Sequence, residues 1–447
     1  MAYDVLIIGS GPGGASVARE LARAGRRVLI LERGRDWRTH RLYGTYPGAL
    51  LYADRHALLF TRQGLNVIRP IMVGGATSMY AACASRPGDW WLNDYGIDLT
   101  ADADAIMREL QIAPLPPELR GVASTRLAEA GSSLGMEWAP QDKFMLPARG
   151  DAFRCGAHCM LGCRCGAKWN AAEWIDDAMA AGAVLQTGTH VTALDVEGGA
   201  VRRIRGSRNG RPWQAEAHTV VVAAGGLGTP LLLRTAGLDE AGRGMAMDTT
   251  VMVYGALPNA QERVPPQGDD PPMTWSSTDD ELGVMYSTLI DPWLMYPIIM
   301  AVKGARWPLT WPRWKRTLGV MIKLTDELSG EIDARGGIDK GLTETDRVRL
   351  ERAQDVARNI LRRAGCEEHS LVTTPLRGTH PSATARIGSV VDDHLATEVR
   401  GLYVCDASVF PRALGRPTVL TILALGRRLA RELAAGHAAR HASSVEP

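Results

Sequence analysis

Residues 3–33 contain a strand, a glycine-rich turn, a helix and a second strand, and this pattern limits the possible folds more than any other. The apolar run Val5–Ile8 leads into Gly9-Ser-Gly-Pro-Gly-Gly14, and small and apolar residues at helical spacing follow as far as Gly25. A second apolar run, 28–31, ends on Glu32. Since parallel strands need a crossover connection, we predict a βαβ unit that opens an α/β fold.

The glycines of this turn have the spacing G-x-G-x-x-G, at Gly9, Gly11 and Gly14. The first permits a tight turn, the second lets the backbone approach a pyrophosphate, and the third lets helix and strand pack closely. Glu32 follows Gly14 by 18 residues, where a carboxylate accepts hydrogen bonds from ribose hydroxyls and repels a 2′-phosphate. These residues predict binding of FAD or NAD; the alternative is a glycine-rich turn beside a surface glutamate.

The overall composition excludes some classes of protein. The 447 residues carry a formal net charge of +2, which gives no reason to expect a nucleic-acid partner. The first strand begins at Tyr3, so there is no room for a secretory signal and we expect a cytoplasmic protein. No run of eighteen or more apolar residues occurs, and the nearest candidate for a membrane span, 289–302, is interrupted by Asp291, Pro292 and Pro297, so a spanning helix is not expected.

Local patterns predict further elements. Short strands occupy 184–223, with a hairpin turn at Asn209-Gly210, and the buried run 220–224 precedes a second glycine-rich turn. Residues 342–364 predict an amphipathic helix, with Thr343 and Asp346 placed as a capping box.

Four cysteines lie between positions 155 and 165: Cys155, Cys159, Cys163 and Cys165. In a chain without an export signal they are not expected to form structural disulfides. One interpretation is an iron–sulfur cluster; the alternatives are a structural zinc site and free or redox-active thiols. Three other cysteines are expected to be buried as small apolar residues: Cys83, Cys366 and Cys405.

His380 lies in Gly378-Thr-His-Pro-Ser-Ala-Thr-Ala-Arg-Ile-Gly388, upstream of an apolar strand that ends at Asp406. An imidazole titrates near neutral pH and can accept an alcohol proton, so His380 is a candidate general base. Without other evidence, a structural histidine is the alternative.

Aromatic and basic residues are mixed in 289–316, from Trp293 to Arg316. Indoles and cations favour the headgroup zone of a membrane, so this segment predicts either peripheral membrane contact on the cytoplasmic face or the mouth of a site for an apolar small molecule. The alternative is that its apolar part belongs to the core of a substrate domain, with the tryptophans at its rim.

With these residues in hand, the chain resembles the glucose-methanol-choline (GMC) family of oxidoreductases. Four segments carry the resemblance, in the order of the family: 9–32, Gly74-Gly-Ala-Thr-Ser78, 220–230 and 378–424. The resemblance implies FAD rather than NAD, a discontinuous Rossmann-like FAD-binding domain, a substrate domain with an antiparallel sheet, and oxidation of an alcohol-type group by hydride transfer to flavin N5.

Residue roles follow from the same resemblance. His380 matches the family's base, Glu32 the acid that binds ribose, Val191 the position whose backbone meets adenine, and Asp406 the aspartate near the ribityl phosphate. The complete implied cofactor-binding set is Gly9, Gly11, Gly14, Glu32, Gly75, Ser78, Val191, Ala224, Asp406 and Thr418.

One departure affects the base. Where the family has an Asn or a second His near the flavin, this chain has Pro417 or Thr418. We therefore expect His380 to be a lone base, with Arg416 or Thr418 as candidates to hold a substrate oxygen.

The cysteine segment resembles that of a bacterial subgroup, ending here in Gly162-Cys-Arg-Cys-Gly-Ala-Lys168. A cluster held by Cys155, Cys159, Cys163 and Cys165 would pass electrons one at a time to a quinone or ferredoxin-like carrier. This favours a dehydrogenase over an oxidase.

These inferences predict an α/β fold with five segments. They are an FAD-binding part at 1–100, a helical cap at 101–183 with a Cys-rich loop at 153–168, a second FAD-binding part at 184–255, a substrate domain at 256–390, and a third FAD-binding part with a C-terminal helix at 391–447. Two other functions stay open: a ferredoxin-fed reductase of a carbonyl or activated alkene, and an electron-transfer or membrane-associated subunit without substrate chemistry.

Overall fold

The computed structural model describes residues 3–149, 153, 157–258, 264–301 and 303–442, with the backbone alone at 157 and 437–442. Its α-helices are α1 (Pro12–Arg23), α2 (Tyr46–Tyr52), α3 (Trp90–Tyr95), α4 (Thr100–Glu109), α5 (Val122–Ser132), α6 (Ala171–Ala180), α7 (Gly225–Thr235), α8 (Met295–Ala301), α9 (Glu344–Arg363) and α10 (Val419–Ala442).

Its strands are β1 (Val5–Ile8), β2 (Val28–Leu31), β3 (Leu59–Phe60), β4 (Asn66–Val67), β5 (Ala113–Pro114), β6 (Ala139–Pro140), β7 (Asp142–Lys143), β8 (Val184–Gln186), β9 (Thr189–Glu197), β10 (Ala200–Arg208), β11 (Arg211–Glu216), β12 (Val220–Val222), β13 (Arg243–Met245), β14 (Thr249–Ala256), β15 (Trp275–Asp279), β16 (Val284–Thr288), β17 (Thr317–Leu324), β18 (Gly330–Ile332), β19 (Ile338–Asp339), β20 (Val372–Thr373), β21 (Arg377–Gly378) and β22 (Leu402–Val404).

The first sheet is parallel, with the strand order β22-β12-β1-β2-β8. Every residue of β1, β2 and β12 is buried, as continuous apolar runs of a sheet covered on both faces must be. Helix α1 packs against α6 and α10, and α7 packs against β9 of the antiparallel meander β9-β10-β11. The carboxyl ends of β1, β12 and β22 meet at one edge of the sheet.

The second large sheet is nine-stranded and mostly antiparallel, with the order β3-β4-β21-β14-β17-β16-β15-β6 and β20 beside β14. Its side chains alternate between two faces: Val253 and Ile322 pack toward α5 and α9, while Met252, Tyr254 and Met321 lie in a cluster covered by α8. The parallel sheet with a separate antiparallel one confirms the predicted fold class.

Strands of this second sheet come from several parts of the chain. β14 begins at Thr249, and β3 and β4 lie at 59–67, within segments that the sequence assigns to the FAD-binding parts. They join the antiparallel sheet because β14 pairs with β17 over seven residues and β4 pairs with β21.

Two local predictions are confirmed. α9 has the capping box of Thr343 and Asp346, and Asn209 and Gly210, with φ of 50° and 79°, join β10 to β11. Of the helices that the structure describes, none is both long and apolar enough to cross a bilayer.

Candidate functional site

A cavity of about 440 Å³ lies where the two large sheets meet, within the usual size range of ligand sites of about 300–1,000 Å³. Its walls include residues 8–13, 67–72, 189–192, 223–228 and 379–381, together with Glu32, Gly75, Asp406 and Thr418. It therefore brings together the glycine turn of β1, the turn after β12 and the segment of His380. Most of the predicted cofactor-binding residues line this one space.

The glycine turn has the close approaches that the motif predicts. Gly9 has a φ of +109°, and a Cβ there would lie 2.2 Å from the carbonyl oxygen of Ala223. A Cβ on Gly14 would lie 2.1 Å from the carbonyl oxygen of Gly9, whereas a Cβ on Gly11 would meet nothing within 4 Å. The first and third glycines are therefore needed for packing, and Gly11 borders open space where a ligand fits.

The N-terminus of α1 points into the same space. Its N-cap, Gly11, provides no side-chain hydrogen bond, Pro12 occupies the first turn, and that turn contains no acidic residue. The amide groups and positive dipole end of α1 are thus left for an anionic ligand, as at a pyrophosphate site. The donor chemistry fits the dinucleotide that the sequence predicts.

Glu32 is 7% exposed and is held by uncharged donors. One carboxylate oxygen accepts hydrogen bonds from Ser10 N at 3.1 Å and Ser10 Oγ at 2.6 Å, and the other accepts from Gly34 N at 2.7 Å. A carboxylate has about four lone-pair sites, so capacity remains for a ribose hydroxyl. Glu32 both closes the glycine turn and faces the cavity.

Asp406 joins two elements at the cavity. Its carboxylate accepts from Gly225 N at 2.8 Å and Thr229 Oγ1 at 2.6 Å in α7, and from Ser408 N at 2.8 Å. Burial raises the pKa of Asp406, and these hydrogen bonds oppose the rise. The side chain fixes the start of α7 to the end of β22 while lining the cavity.

The remaining predicted cofactor residues divide into two groups. Gly75, Val191, Ala224 and Thr418 line the cavity. Ser78 is fully buried outside its described lining, where its hydroxyl accepts from Asn170 Nδ2 at 3.0 Å. Ser78 is thus placed to support the segment that contains Gly75.

His380 lines the cavity and has a carboxylate partner that the sequence analysis missed. Its Nδ1 lies 2.7 Å from Oδ2 of Asp248, 132 residues away in sequence. The side chain of Asp248 is 1% exposed, and its Oδ1 accepts from Gly415 N at 2.9 Å. The interpretation of His380 as a lone base is therefore incomplete. The one feature of the sequence that could have indicated this role is that Asp248 is a charged residue directly before the apolar strand β14.

The charge state of His380 follows from its surroundings. Burial and the nearby Lys323 ammonium lower its pKa, and the hydrogen bond with Asp248 opposes them. The imidazole is therefore neutral at neutral pH. Because the carboxylate can only accept, Nδ1 carries the proton and Nε2 keeps its lone pair. This is the form of histidine that a general base requires.

Lys323 on β17 is 3% exposed, and burial lowers its pKa to about 8. Its Nζ donates to Thr379 Oγ1 at 2.6 Å, and the Thr379 hydroxyl donates to the carbonyl oxygen of Asp248 at 2.8 Å. The residue preceding His380 is therefore connected to both Lys323 and Asp248.

A buried ion pair holds the backbone at Asp248. Asp326 accepts from the amides of Met247 at 3.1 Å and Asp248 at 2.9 Å, and lies 3.1 Å from Lys340 Nζ. The side chains of Asp326 and Lys340 are 0% exposed, and burial raises the pKa of Asp326 while Lys340 opposes the rise. Asp248 has a φ of 46°, and this pair holds the turn in which it lies.

Arg416, considered as a group that binds a substrate oxygen, is directed elsewhere. Its guanidinium donates to Asp280 at 2.7 Å on the exposed surface, whereas Thr418 lines the cavity.

The cysteine segment lies only partly within the described residues. Cys155 is outside them, Cys159 is buried, and the Sγ atoms of Cys163 and Cys165 are 3.7 Å apart. Hydrogen bonding with Cys159, followed by burial, raises the pKa of the Cys163 thiol. Within the described ranges, no group of three His, Cys, Asp or Glu is placed to hold a metal. Cys83, Cys366 and Cys405 are buried, as predicted.

A lysine connects this segment to the chain that follows Gly75. Lys168, 3% exposed, donates from Nζ to the carbonyl oxygens of Cys159 at 2.8 Å, Ser78 at 3.0 Å and Tyr80 at 3.1 Å. The cysteine segment is thereby attached to the chain just after Gly75.

Comparisons with known proteins agree with this geometry. The sequence matches the family described as FAD dependent oxidoreductase over residues 4–430. The chain belongs to this family of flavoproteins.

Two relatives and one solved structure indicate which flavoproteins of this family the chain resembles. A GMC-type oxidoreductase of Mycobacterium tuberculosis is 33% identical over 56% of this chain, and a long-chain-alcohol oxidase of Arabidopsis thaliana is 25% identical over 94% of this chain and 66% of its own length. The match spans 42% of the length of the mycobacterial relative. The fold is similar to that of pyridoxine 4-oxidase from Mesorbium loti, with a TM-score of 0.71, 19% identity and coverage of 96% of this chain and 99% of that one. These likenesses bear out the predicted resemblance to the GMC oxidoreductases.

Proposed function

We propose that this protein oxidises an alcohol-type group, with His380 as the base and FAD as the hydride acceptor. The observation that supports this most strongly is the His380–Asp248 pair in the wall of the cavity that contains the glycine turn. When bound, FAD supplies an electrophilic ring nitrogen that takes a hydride from carbon. The pairing of a neutral imidazole with a buried carboxylate suits removal of the hydroxyl proton.

The protein's part in the reaction is proton transfer and orientation. His380 Nε2 accepts the hydroxyl proton, and positioned bases of this kind contribute rate factors of about 10²–10⁴. Asp248 fixes the tautomer and ring orientation through Nδ1 and stabilises the imidazolium that forms. Because Asp248 is buried, this stabilisation is weakened little by solvent.

An apolar substrate is part of the proposal. The cavity wall supports this part, because it includes apolar side chains such as Ile68, Met72 and Leu231. The alcohol oxidase among the relatives supports this class of substrate by its name.

The replacement His380→Ala tests the proposal. We expect anaerobic reduction of the bound flavin by long-chain alcohols to fall about 10²–10⁴-fold, with the FAD absorption spectrum retained. The exposed His394→Ala replacement serves as the control and is expected to reduce flavin at the normal rate.

Two results would contradict the proposal. Reoxidation of reduced flavin by an enone, with no reduction by any alcohol, would assign the reverse chemistry of a reductase. Unchanged turnover in His380→Ala would assign an electron-transfer subunit without its own substrate chemistry.

For the electron acceptor, we propose a dehydrogenase in which the cysteine segment holds an iron–sulfur cluster. Lys168 joins this segment to Ser78, three residues beyond Gly75 in the cavity wall, and this short connection supports an electron path to a quinone or ferredoxin-like carrier. The oxidases among the relatives favour dioxygen instead.

Iron and sulfide analysis of anaerobically purified protein distinguishes the two acceptors. We expect iron and sulfide in the protein and their loss in Cys163→Ser, while flavin reduction by substrate continues. Cys366→Ser, at a buried site away from the segment, is the control. Protein without iron that reduces dioxygen rapidly would be an oxidase.

A further inference from the structure

Six apolar side chains form an exposed patch near the N-terminus of α8. Their exposed fractions are large: Leu50 48%, Leu51 51%, Trp293 43%, Leu294 37%, Ile298 65% and Leu309 80%. Single exposed apolar residues are ordinary on soluble proteins, but contiguous ones mark interaction surfaces. We call this set the apolar face.

Contacts among neighbouring residues show that the face is contiguous. Leu294 N donates to Tyr46 Oη at 3.3 Å, and Tyr46 lies one helical turn before Leu50 on α2, so α2 adjoins the chain before α8. Trp311 Nε1 donates to the carbonyl oxygen of Trp293 at 2.9 Å, and their rings are 4.5 Å apart. The second contact brings the segment of Leu309 to the same place.

The segment that carries Trp293, Ile298 and Leu309 has charge of one sign. Residues 292–316 contain five basic residues and no Asp or Glu. Arg316 lies 3.6 Å from Glu367, but four of the five make no ion pair with any carboxylate that the structure describes: Lys303, Arg306, Arg313 and Lys315. The guanidinium of Arg306 lies 4.8 Å from the ring centre of Trp307.

We propose that the apolar face docks peripherally on an anionic phospholipid surface. The aliphatic side chains would enter the boundary of the acyl chains, the indoles would lie at headgroup level, and the cations would bind lipid phosphates. Uncompensated positive charge matches an anionic surface, where each basic residue strengthens binding about fivefold.

The orientation follows from the neighbours of the face. Tyr46, which contacts Leu294, has its ring 5.3 Å from that of His158, beside Cys159. Docking through the apolar face therefore places the cysteine segment on the membrane side of the protein. This inference stands independently of the reaction proposed above.

Vesicle cosedimentation of the FAD-loaded protein tests the inference. We expect binding to phosphatidylcholine vesicles that contain phosphatidylglycerol, and binding at least about tenfold weaker to phosphatidylcholine alone or at high salt. The double variant Ile298→Asp/Leu309→Asp should lose about tenfold or more of the affinity. Lys303→Gln/Lys315→Gln should lose about 25-fold of the affinity, because each basic residue strengthens binding about fivefold.

The matched control is Val122→Asp/Val348→Asp, because these residues are also exposed, at 61% and 41%, but belong to α5 and α9. It should bind vesicles like the unmodified protein, and melting temperature and flavin absorption should be the same in all variants. Binding that is equal in Ile298→Asp/Leu309→Asp and the unmodified protein would overturn the inference. So would the absence of binding to anionic vesicles, or a dimer in light scattering that this variant converts to a monomer, because the face would then bind a second copy.

Discussion

The cavity has a buried carboxylate at its glycine turn, Glu32, and another, Asp248, that binds His380 in its wall, and the two are stabilised differently. We call these regions the glycine end and the histidine end. At the glycine end, Glu32 is held by amides and a hydroxyl from Ser10 and Gly34. At the histidine end, Asp248 contacts His380, and the buried charges of Lys323 and the Asp326–Lys340 pair lie close by. Fixed dipoles are sufficient to hold a bound ribose, whereas the base that we propose at His380 must also accommodate a proton that arrives and leaves.

The strongest test of this difference is to break the buried ion pair. Lys340→Met leaves the carboxylate of Asp326 buried without its cation, and we expect a loss of about 3–5 kcal/mol in the free energy of unfolding. Denaturant unfolding followed by circular dichroism measures it. Arg243→Met, which removes the exposed pair with Glu240, should cost less than about 1 kcal/mol. Equal losses in the two variants would show that the Asp326–Lys340 pair does not support the histidine end.

Replacement of Asp248 tests the proposed role of the histidine end directly. In Asp248→Asn the amide can present its NH₂ group to Nδ1, which favours the wrong tautomer, and we expect anaerobic flavin reduction to slow about a hundredfold. FAD binding should be retained. Asp280→Asn, a change of an exposed carboxylate that pairs with Arg416, is the control. A normal rate in Asp248→Asn would show that His380 needs no orienting carboxylate.

At the glycine end, Glu32→Gln tests binding without chemistry. The amide has one acceptor oxygen in place of two, so we expect FAD affinity to fall about tenfold, while the substrate reduces the flavin at the normal rate once FAD saturates the protein. Titration of the apoprotein with FAD measures the affinity. A slower reduction at saturation would mean that the two ends are not separable.

The smallest expected effect concerns Lys323. Its ammonium lowers the pKa of His380, so Lys323→Met should raise that pKa. A base with a higher pKa becomes protonated at higher pH, so the acid limb of the pH–rate profile should move to higher pH. Lys323→Arg keeps the charge and should leave the limb in place. An acid limb at the same pH in Lys323→Met would show that the charge of Lys323 does not affect the pKa of His380.

The same comparison explains what the sequence could predict. Ser10, Glu32 and Gly34 lie within one βαβ unit, so spacing alone located the glycine end. Asp248 and His380 are 132 residues apart, and the amide of Asp248 binds Asp326 78 residues away. Contacts of this kind depend on the pairing of β14 with β17 and β21, which no local pattern specifies.

The sequence predicts that the second sheet is antiparallel, but it does not predict all of the strands that form it. Antiparallel strands were expected after residue 256, yet β14 begins at Thr249 and β3 and β4 come from 59–67. A two-residue strand such as β4 is too short to show periodicity in the sequence. Its pairing is decided by the neighbouring strand.

The three carbonyl oxygens bound by Lys168 have a thermodynamic consequence. One ammonium group holds the cysteine segment at Cys159 and the chain after Gly75 at Ser78 and Tyr80, so displacement of either strains the other. Linkage is reciprocal: any factor by which bound FAD stabilises the cysteine segment is also the factor by which stabilising the segment tightens FAD binding. The dissociation constant of the flavin, compared between thiols that are reduced and thiols that are oxidised, measures this coupling.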